Sequence, residues 1–186
     1  MTDDRYASVL TLVRCLAGGV PLDARDAVLG EAFLQLRRTA SAIEAERLDQ
    51  MIWQRWGDAG TRQARQLLSD ASKVLALGDV EPAIELLDRA VTLDPGFAEA
   101  WNRRATVLFM IGRHNQSIAD IERVLVLEPR HYGALAGLGQ ILLRLDEPVG
   151  ALVAFEAALS INPHLDRIRR LAIQLRRTER PTPLLD

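Results

Sequence analysis

The stretch AWNRRATVLFMIGRHNQSIADIERVLVLEPRH, residues 100–131, decides the fold. Its apolar residues recur at helical spacing as far as Met110, break at Gly112, resume at Ile118 and stop at Pro129, so it reads as two helices joined by a turn. Moved along the chain by 34 residues, the same pattern appears on either side. Pro95, Pro129 and Pro163 stand at that interval, and so do the columns Leu67/Trp101/Leu135, Ala71/Ala105/Gly139, Val74/Leu108/Leu142 and Gly78/Gly112/Asp146. Four more follow: Ala83/Ser117/Ala151, Leu87/Ile121/Phe155, Ala90/Val124/Ala158 and Leu93/Leu127/Ile161. One period held across columns of different physical type marks a repeat architecture.

Each column has a mechanical meaning. Leu67, Ala71, Val74 and their counterparts give the first helix of each pair an apolar face. The small residues at 71, 105 and 139, and at 83, 117 and 151, let two backbones approach where the helices cross. Gly78 and Gly112 can take the left-handed conformation that ends a helix, and aspartate, as at 146, is among the few other residues that tolerate it. Pro82 and Pro148 fall in first turns, where a missing amide donor costs little. Pro95, Pro129 and Pro163 push Asp94, Glu128 and Asn162 out of helical geometry.

On these residues the chain resembles the tetratricopeptide repeat family, and small bacterial proteins of that family in particular. The resemblance implies an all-α, right-handed solenoid of helical hairpins, with repeats at 64–97, 98–131 and 132–163. It also implies that Arg104, which some tetratricopeptide repeats carry in this column, is paired with Asp120 on the facing helix as a structural ion pair.

The flanks complete the expected layout. Residues 1–21 read as a short helix over 3–17, with Tyr6, Val9, Leu10, Val13 and Leu16 on one face, followed by a linker opened by Gly18, Gly19 and Pro21. Residues 22–63 read as a degenerate helix pair, about 22–39 and 41–57, capping the first repeat; Ser41 and Glu44 form a capping-box signature. Leu48, Met51, Ile52 and Trp56 share a stripe, and Trp53 and Trp56 are the expected packing anchors. Residues 164–186 supply the other lid: Ile168, Leu171, Ala172 and Leu175 inward, Arg167, Arg169, Arg170, Gln174, Arg176 and Arg177 outward, then a loose tail from Pro181.

Composition argues against several function classes. A net charge of −2 offers no general attraction to nucleic acid or acidic membranes. Cys15 is the single cysteine, so neither an internal disulfide nor a cysteine-built metal cluster can form. Asp3 and Asp4 stand where a signal peptide needs basic residues, Arg14 interrupts the apolar run, and no stretch approaches the ~20 residues that span a bilayer. A cytoplasmic protein is expected. There is no phosphate loop, nucleophile elbow or zinc-spaced histidine pair. His114 opens a helix, and His131 and His164 are expected as exposed turn residues. Glu44, Glu46, Asp49, Glu81, Glu85 and Glu99 read as solvated helix faces. No catalysis, no metal and no cofactor is expected.

In the tetratricopeptide family the first helices line a concave groove, which implies a wall of Arg65, Leu68, Ser72 and Leu75, then Asn102, Arg103, Thr106, Phe109 and Met110, then Gln140, Leu143 and Arg144. That set, with Glu99 at the rim, would suit an acidic or carboxylate-bearing peptide with apolar anchors. The clamp with which some family members hold chaperone tails is absent, since its places carry Leu68, Ser72, Arg103, Gly133 and Gly137. The expected role is a non-catalytic adaptor. Self-association through the N-terminal helices or the convex face is the alternative, and RNA contact through the last helix is a third, short of the aromatic platforms that single strands use.

Overall fold

The structure is a computed structural model that describes residues 6–17 and 26–179. Ten helices are described: α1 (Ala7–Ala17), α2 (Ala27–Arg38), α3 (Ala42–Asp58), α4 (Arg62–Ala76), α5 (Val80–Leu93), α6 (Ala98–Met110), α7 (His114–Leu127), α8 (Tyr132–Arg144), α9 (Pro148–Ile161) and α10 (Asp166–Glu179). Expected helical residues 3–5 and 22–25, and the tail from Pro181, lie outside the described residues.

The hairpins are α4/α5, α6/α7 and α8/α9, and each new pair stacks by its first helix on the second helix before it. Three identical turns set this geometry. Gly78, Gly112 and Asp146 have φ of 90°, 78° and 59°. In each turn this residue's amide and the next one's bond back onto the closing helix, as in Asp146 to the Leu143 carbonyl at 3.3 Å and Glu147 to that of Leu142 at 2.9 Å. That is the paired bonding that satisfies a helix's last carbonyls. The crossing positions are as tight as their residues suggest. A Cβ built on Gly139 would lie 2.3 Å from the Phe155 ring, and Ser117 Oγ donates to the Ala105 carbonyl at 2.7 Å.

The N-terminal helices depart from the expected cap. They do not cover the first repeat; they fold back onto the second and third, and share one core with α7 to α10. Helix α1 lies on α9 and α7, with Leu10 against Gly150 and the Tyr6 hydroxyl donating to Asn115 Oδ1 at 3.3 Å. Helix α2 packs on α3 and α9. Helix α3 runs down the row of loops between repeats. Its Asp49 accepts from the Tyr132 hydroxyl at 2.7 Å and from Asn162 Nδ2 at 3.0 Å. Trp56 stacks on His131 at 4.1 Å and 10° and its Nε1 donates to Glu128 Oε2 at 3.4 Å. Beyond the helix, the Thr61 amide donates to Asp94 Oδ2 at 2.8 Å.

Asn162, Glu128 and Asp94 belong to one column of the repeat, so α3 meets the same position twice and Thr61, just beyond it, meets it a third time, in descending order. Asp49 and Trp56 are two turns apart, a rise of about 10 Å, close to the 8–10 Å or so between packed helices. That match lets one straight helix serve successive loops. The capping box at its start forms in part: the Glu44 amide donates to Ser41 Oγ at 3.3 Å, but the Glu44 carboxylate turns to Arg47 and the Ser41 amide to Thr39. Helix α3 also runs through Gly57 to Asp58 rather than ending at Gly57.

With α2 and α3 spent on the later repeats, the outer side of the first repeat is open. Leu67 and Leu93 line a cleft there with Gln63, Gln66, Asp88, Arg89 and Thr92. At the other end α10 lies on α9, with Ile168 and Ala172 buried, Leu171 and Leu175 half-buried, and the named arginines exposed. No helix among the described residues is long and apolar enough to cross a membrane.

Candidate functional site

Helices α6 and α8 lie side by side as first helices of neighbouring hairpins, and the gap between them is an open cleft of about 310 Å³. Ala105, Ala134, Gly137, Ile121 and Ile141 contribute small or apolar lining, and Asn102, Thr106, Phe109, Met110 and Gln140 line it too. The cleft exists because the lining is small. A Cβ on Gly137 would meet no atom nearer than Ile121 Cδ1 at 3.9 Å. Met110 is 62% exposed, which leaves a flexible thioether side chain free at the mouth.

Five of the ten groove residues read from the sequence, Asn102, Thr106, Phe109, Met110 and Gln140, therefore line one cleft. The other five sit around it or away from it. Arg144 places its guanidinium 5.9 Å from the Phe109 ring centroid, and Leu143 packs half-buried against the core. On α4, Arg65 pairs with Asp58 at 3.3 Å and Ser72 Oγ donates to the Leu68 carbonyl at 2.9 Å. Arg103 is outside the lining and paired with Glu99 at 2.5 Å.

Glu99 is where sequence reasoning failed most. It is neither a rim nor a solvated residue: it is 1% exposed. Asn102 Nδ2 donates to it at 2.9 Å, Arg103 Nε binds its other oxygen, and His131 Nε2 lies 3.3 Å away. Burial pushes its carboxyl upward, but the His131 and Arg103 contacts outweigh that and hold it below its ordinary value. His131, expected in an exposed turn, is fully buried. Its Nδ1 accepts from the Ala134 amide at 3.1 Å and so caps α8. His164 likewise is half-buried, 3.0 Å from the Leu36 carbonyl. Asp49, expected in solvent, holds Tyr132 and Asn162, and the buried Tyr132 hydroxyl is pushed far above its usual range by burial and by Asp49. Period analysis could not find these residues, because their partners lie elsewhere in the register or outside the repeat: Glu99 meets His131 of the next turn, His164 meets Leu36 of α2, and Asp49 of α3 meets Tyr132 and Asn162.

Arg104 and Asp120 form a bidentate pair, Nε to Oδ2 at 2.8 Å and Nη2 to Oδ1 at 2.7 Å. Arg104 Nη1 also reaches Asp88 of the preceding hairpin at 2.8 Å, so one guanidinium joins two repeats. Trp53 packs against Gly133: its ring lies 2.5 Å from where a Gly133 Cβ would stand. Both tryptophans are packing residues, at the junction of the second and third repeats. Among the described residues no group of three histidine, cysteine or acidic side chains is placed to hold a metal.

Comparisons with known proteins agree with this architecture. A family profile described as tetratricopeptide repeat matches residues 71–120 and 111–166, over half of the chain. A tetratricopeptide-repeat-containing protein of Rhizobium etli is 38% identical over 135 residues, covering 73% of this chain and 66% of the relative. The small glutamine-rich tetratricopeptide repeat-containing protein 2 of Mycosarcoma maydis is 24% identical over 113 residues, covering 61% of this chain and 32% of its own. The chain thus spans less than two thirds of these relatives. The Sgt2 tetratricopeptide domain of Aspergillus fumigatus superposes with a TM-score of 0.59 at 22% identity, over 69% of this chain and 91% of that one. The first tetratricopeptide domain of Spaghetti, solved with the HSP90 peptide SRMEEVD, gives 0.60 at 17%, over 63% and 93%. With its repeat period, its hairpin stack and a profile match over more than half its length, this chain belongs to the tetratricopeptide repeat family.

Proposed function

We propose that this protein is a non-catalytic adaptor that holds a segment of a partner protein in the cleft between α6 and α8. The observation that carries the reading is the cleft itself: an apolar floor of small residues, flanked by Thr106 and Gln140, with Phe109 and the exposed Met110 at its mouth. Such a surface suits an extended segment that inserts one apolar side chain, and methionine adapts to imperfectly matched partners. That neighbours of this fold have been solved with the peptides SRMEEVD and SGPTIEEVD bound supports a peptide as occupant. Chaperone tails as such are not proposed, because the residues of that clamp are missing here.

Asn102 and Arg103 make poor test positions, since removing them strands the buried Glu99 carboxylate. Gly137 is better. A leucine there projects into open cleft and fits a helix interior at least as well as glycine. Affinity capture with the parent and with Gly137→Leu, both melting alike, tests the reading: the variant should lose the parent's partners. Equal recovery by both would refute it.

A further inference from the structure

Helix α10 is led into by the turn that leads into α8. The Asp166 amide donates to the His164 carbonyl at 3.0 Å and the Arg169 amide to that of Leu165 at 2.9 Å; one period earlier Tyr132 donates to Arg130 at 2.8 Å and Leu135 to His131 at 3.1 Å. The residues that close the preceding helices have matching backbones, Asn162 at φ −119°, ψ 96° and Glu128 at φ −135°, ψ 90°. Helix α10 packs on α9 as α8 does on α7 and α6 on α5. Arg176 reaches back to Glu156 at 2.6 Å, and Arg104 reaches back to Asp88 at 2.8 Å, where Asp88 and Glu156 share one column of the repeat. Ile173 falls in the crossing column of Ala105 and Gly139 and is 43% exposed, with no second helix over it among the described residues. By backbone, packing and register, α10 is a fourth first-helix.

The cleft's columns can therefore be carried onto it. Glu99 and Gly133 continue to Arg167, Asn102 and Ala136 to Arg170, Thr106 and Gln140 to Gln174, and Phe109 and Leu143 to Arg177. Arg169 and Arg176 fall instead in the columns of Leu135 and Leu142 and pair with Asp166 and Glu156. Arg144, Arg167, Arg170 and Arg177 are exposed and have no carboxylate in salt-bridge range among the described residues. The acid in this set of columns, Glu99, is buried and already bound.

We propose that α10 extends the concave wall, and that Arg167, Arg170 and Arg177, with Arg144, form a subsite for an aspartate- or glutamate-rich stretch of the bound segment. The neighbouring apolar residue of that segment enters the α6–α8 cleft. This deepens the groove reading and rests on it. Guanidinium groups bind carboxylates in a bidentate, charge-assisted way, which gives the segment a direction: acidic end toward α10.

The test uses the full chain on an array of immobilised short peptides of random sequence, with thermal melts to confirm folding. The parent should select peptides that join acidic residues to an apolar one. Arg167→Gln/Arg170→Gln/Arg177→Gln should bind those peptides about tenfold more weakly and lose the acidic bias while keeping the apolar one. Arg169→Gln/Arg176→Gln should match the parent. A triple variant that selects the same acidic peptides with unchanged affinity overturns the subsite, as does a parent with no acidic bias, or one that retains labelled oligouridine and no peptide. Loss of binding in Gly137→Leu without loss in the triple variant leaves the groove standing and removes the subsite. Indifference to Gly137→Leu removes the groove itself.

Discussion

Alanine at Gly139 and alanine at Gly137 add the same methyl group to the same helix, and should have different effects on stability. At Gly137 the new Cβ meets Ile121 Cδ1 at 3.9 Å, ordinary contact distance, so what remains is the helix preference for alanine over glycine, about 1 kcal/mol in favour. At Gly139 it would lie 2.3, 2.5 and 2.9 Å from three atoms of the Phe155 ring, more than 0.5 Å inside the roughly 3.5–4.0 Å optimum for carbon pairs. Phe155 is fully buried and has no open side to turn toward. Overpacking of this kind costs about 1–3 kcal/mol. After the helix preference is credited, Gly139→Ala should be neutral to about 2 kcal/mol less stable than the parent, and about 1–3 kcal/mol below Gly137→Ala. Urea unfolding of the three proteins measures this directly. Equal midpoints for the two variants would refute the close α8–α9 crossing, and with it the hairpin nesting that forms the cleft.

Asp120→Ala leaves Arg104 with Asp88 alone. Asp120 and Arg104 side chains are 6% and 19% exposed, so the loss should approach the ~3 kcal/mol lower bound for breaking a buried pair, read by chemical denaturation; a parent-like melt would contradict it. Trp56→Ala removes a buried ring and should cost about 3–5 kcal/mol. Its hydrogen exchange should rise first at residues 128–135, and a rise confined to α4 and α5 would restore the capping role. Glu99 and Glu128 are both held below the ordinary carboxylate range. Burial pushes each up, but His131 and Arg103 outweigh it for Glu99, as Arg130 and Trp56 do for Glu128. Their contribution is thus complete above the unfolded value of about 4.3 and is lost as the pH falls through the lower folded values. Unfolding midpoints should decline on acidification through that window, less so in Glu99→Gln, and a flat profile would refute the assignment.

The repeat was legible because every demanding position recurs. Pro95, Pro129 and Pro163 mark helix ends, Gly78, Gly112 and Asp146 mark turns, and the small crossing residues mark the hairpins, each by local chemistry. Five cleft residues followed once the tetratricopeptide family's concave face was carried onto that register. The N-terminal helices were legible as helices only: the stripe Leu48, Ile52, Trp56 states that a face is buried, not against what. Two turns of α3 match one step of the stack, and nothing in a single column announces this until Glu128 and Asn162 are seen to face the same helix. Glu99 and His131 misled for a related reason. Each looked polar and local, and each is satisfied by residues distant in sequence or by a neighbour that period analysis assigned to the groove. Helix α10 was read by its buried stripe alone, which hid that its other residues continue the columns of α6 and α8.

Hydrogen exchange of the full chain, free and bound to a captured or array-selected segment, tests the central claim most directly. Protection is predicted on α6 and α8 around residues 102–110 and 133–144, with little change on α1, α7 and α9. Protection confined to α1, α7 and α9, with α6 and α8 unchanged, would contradict the account.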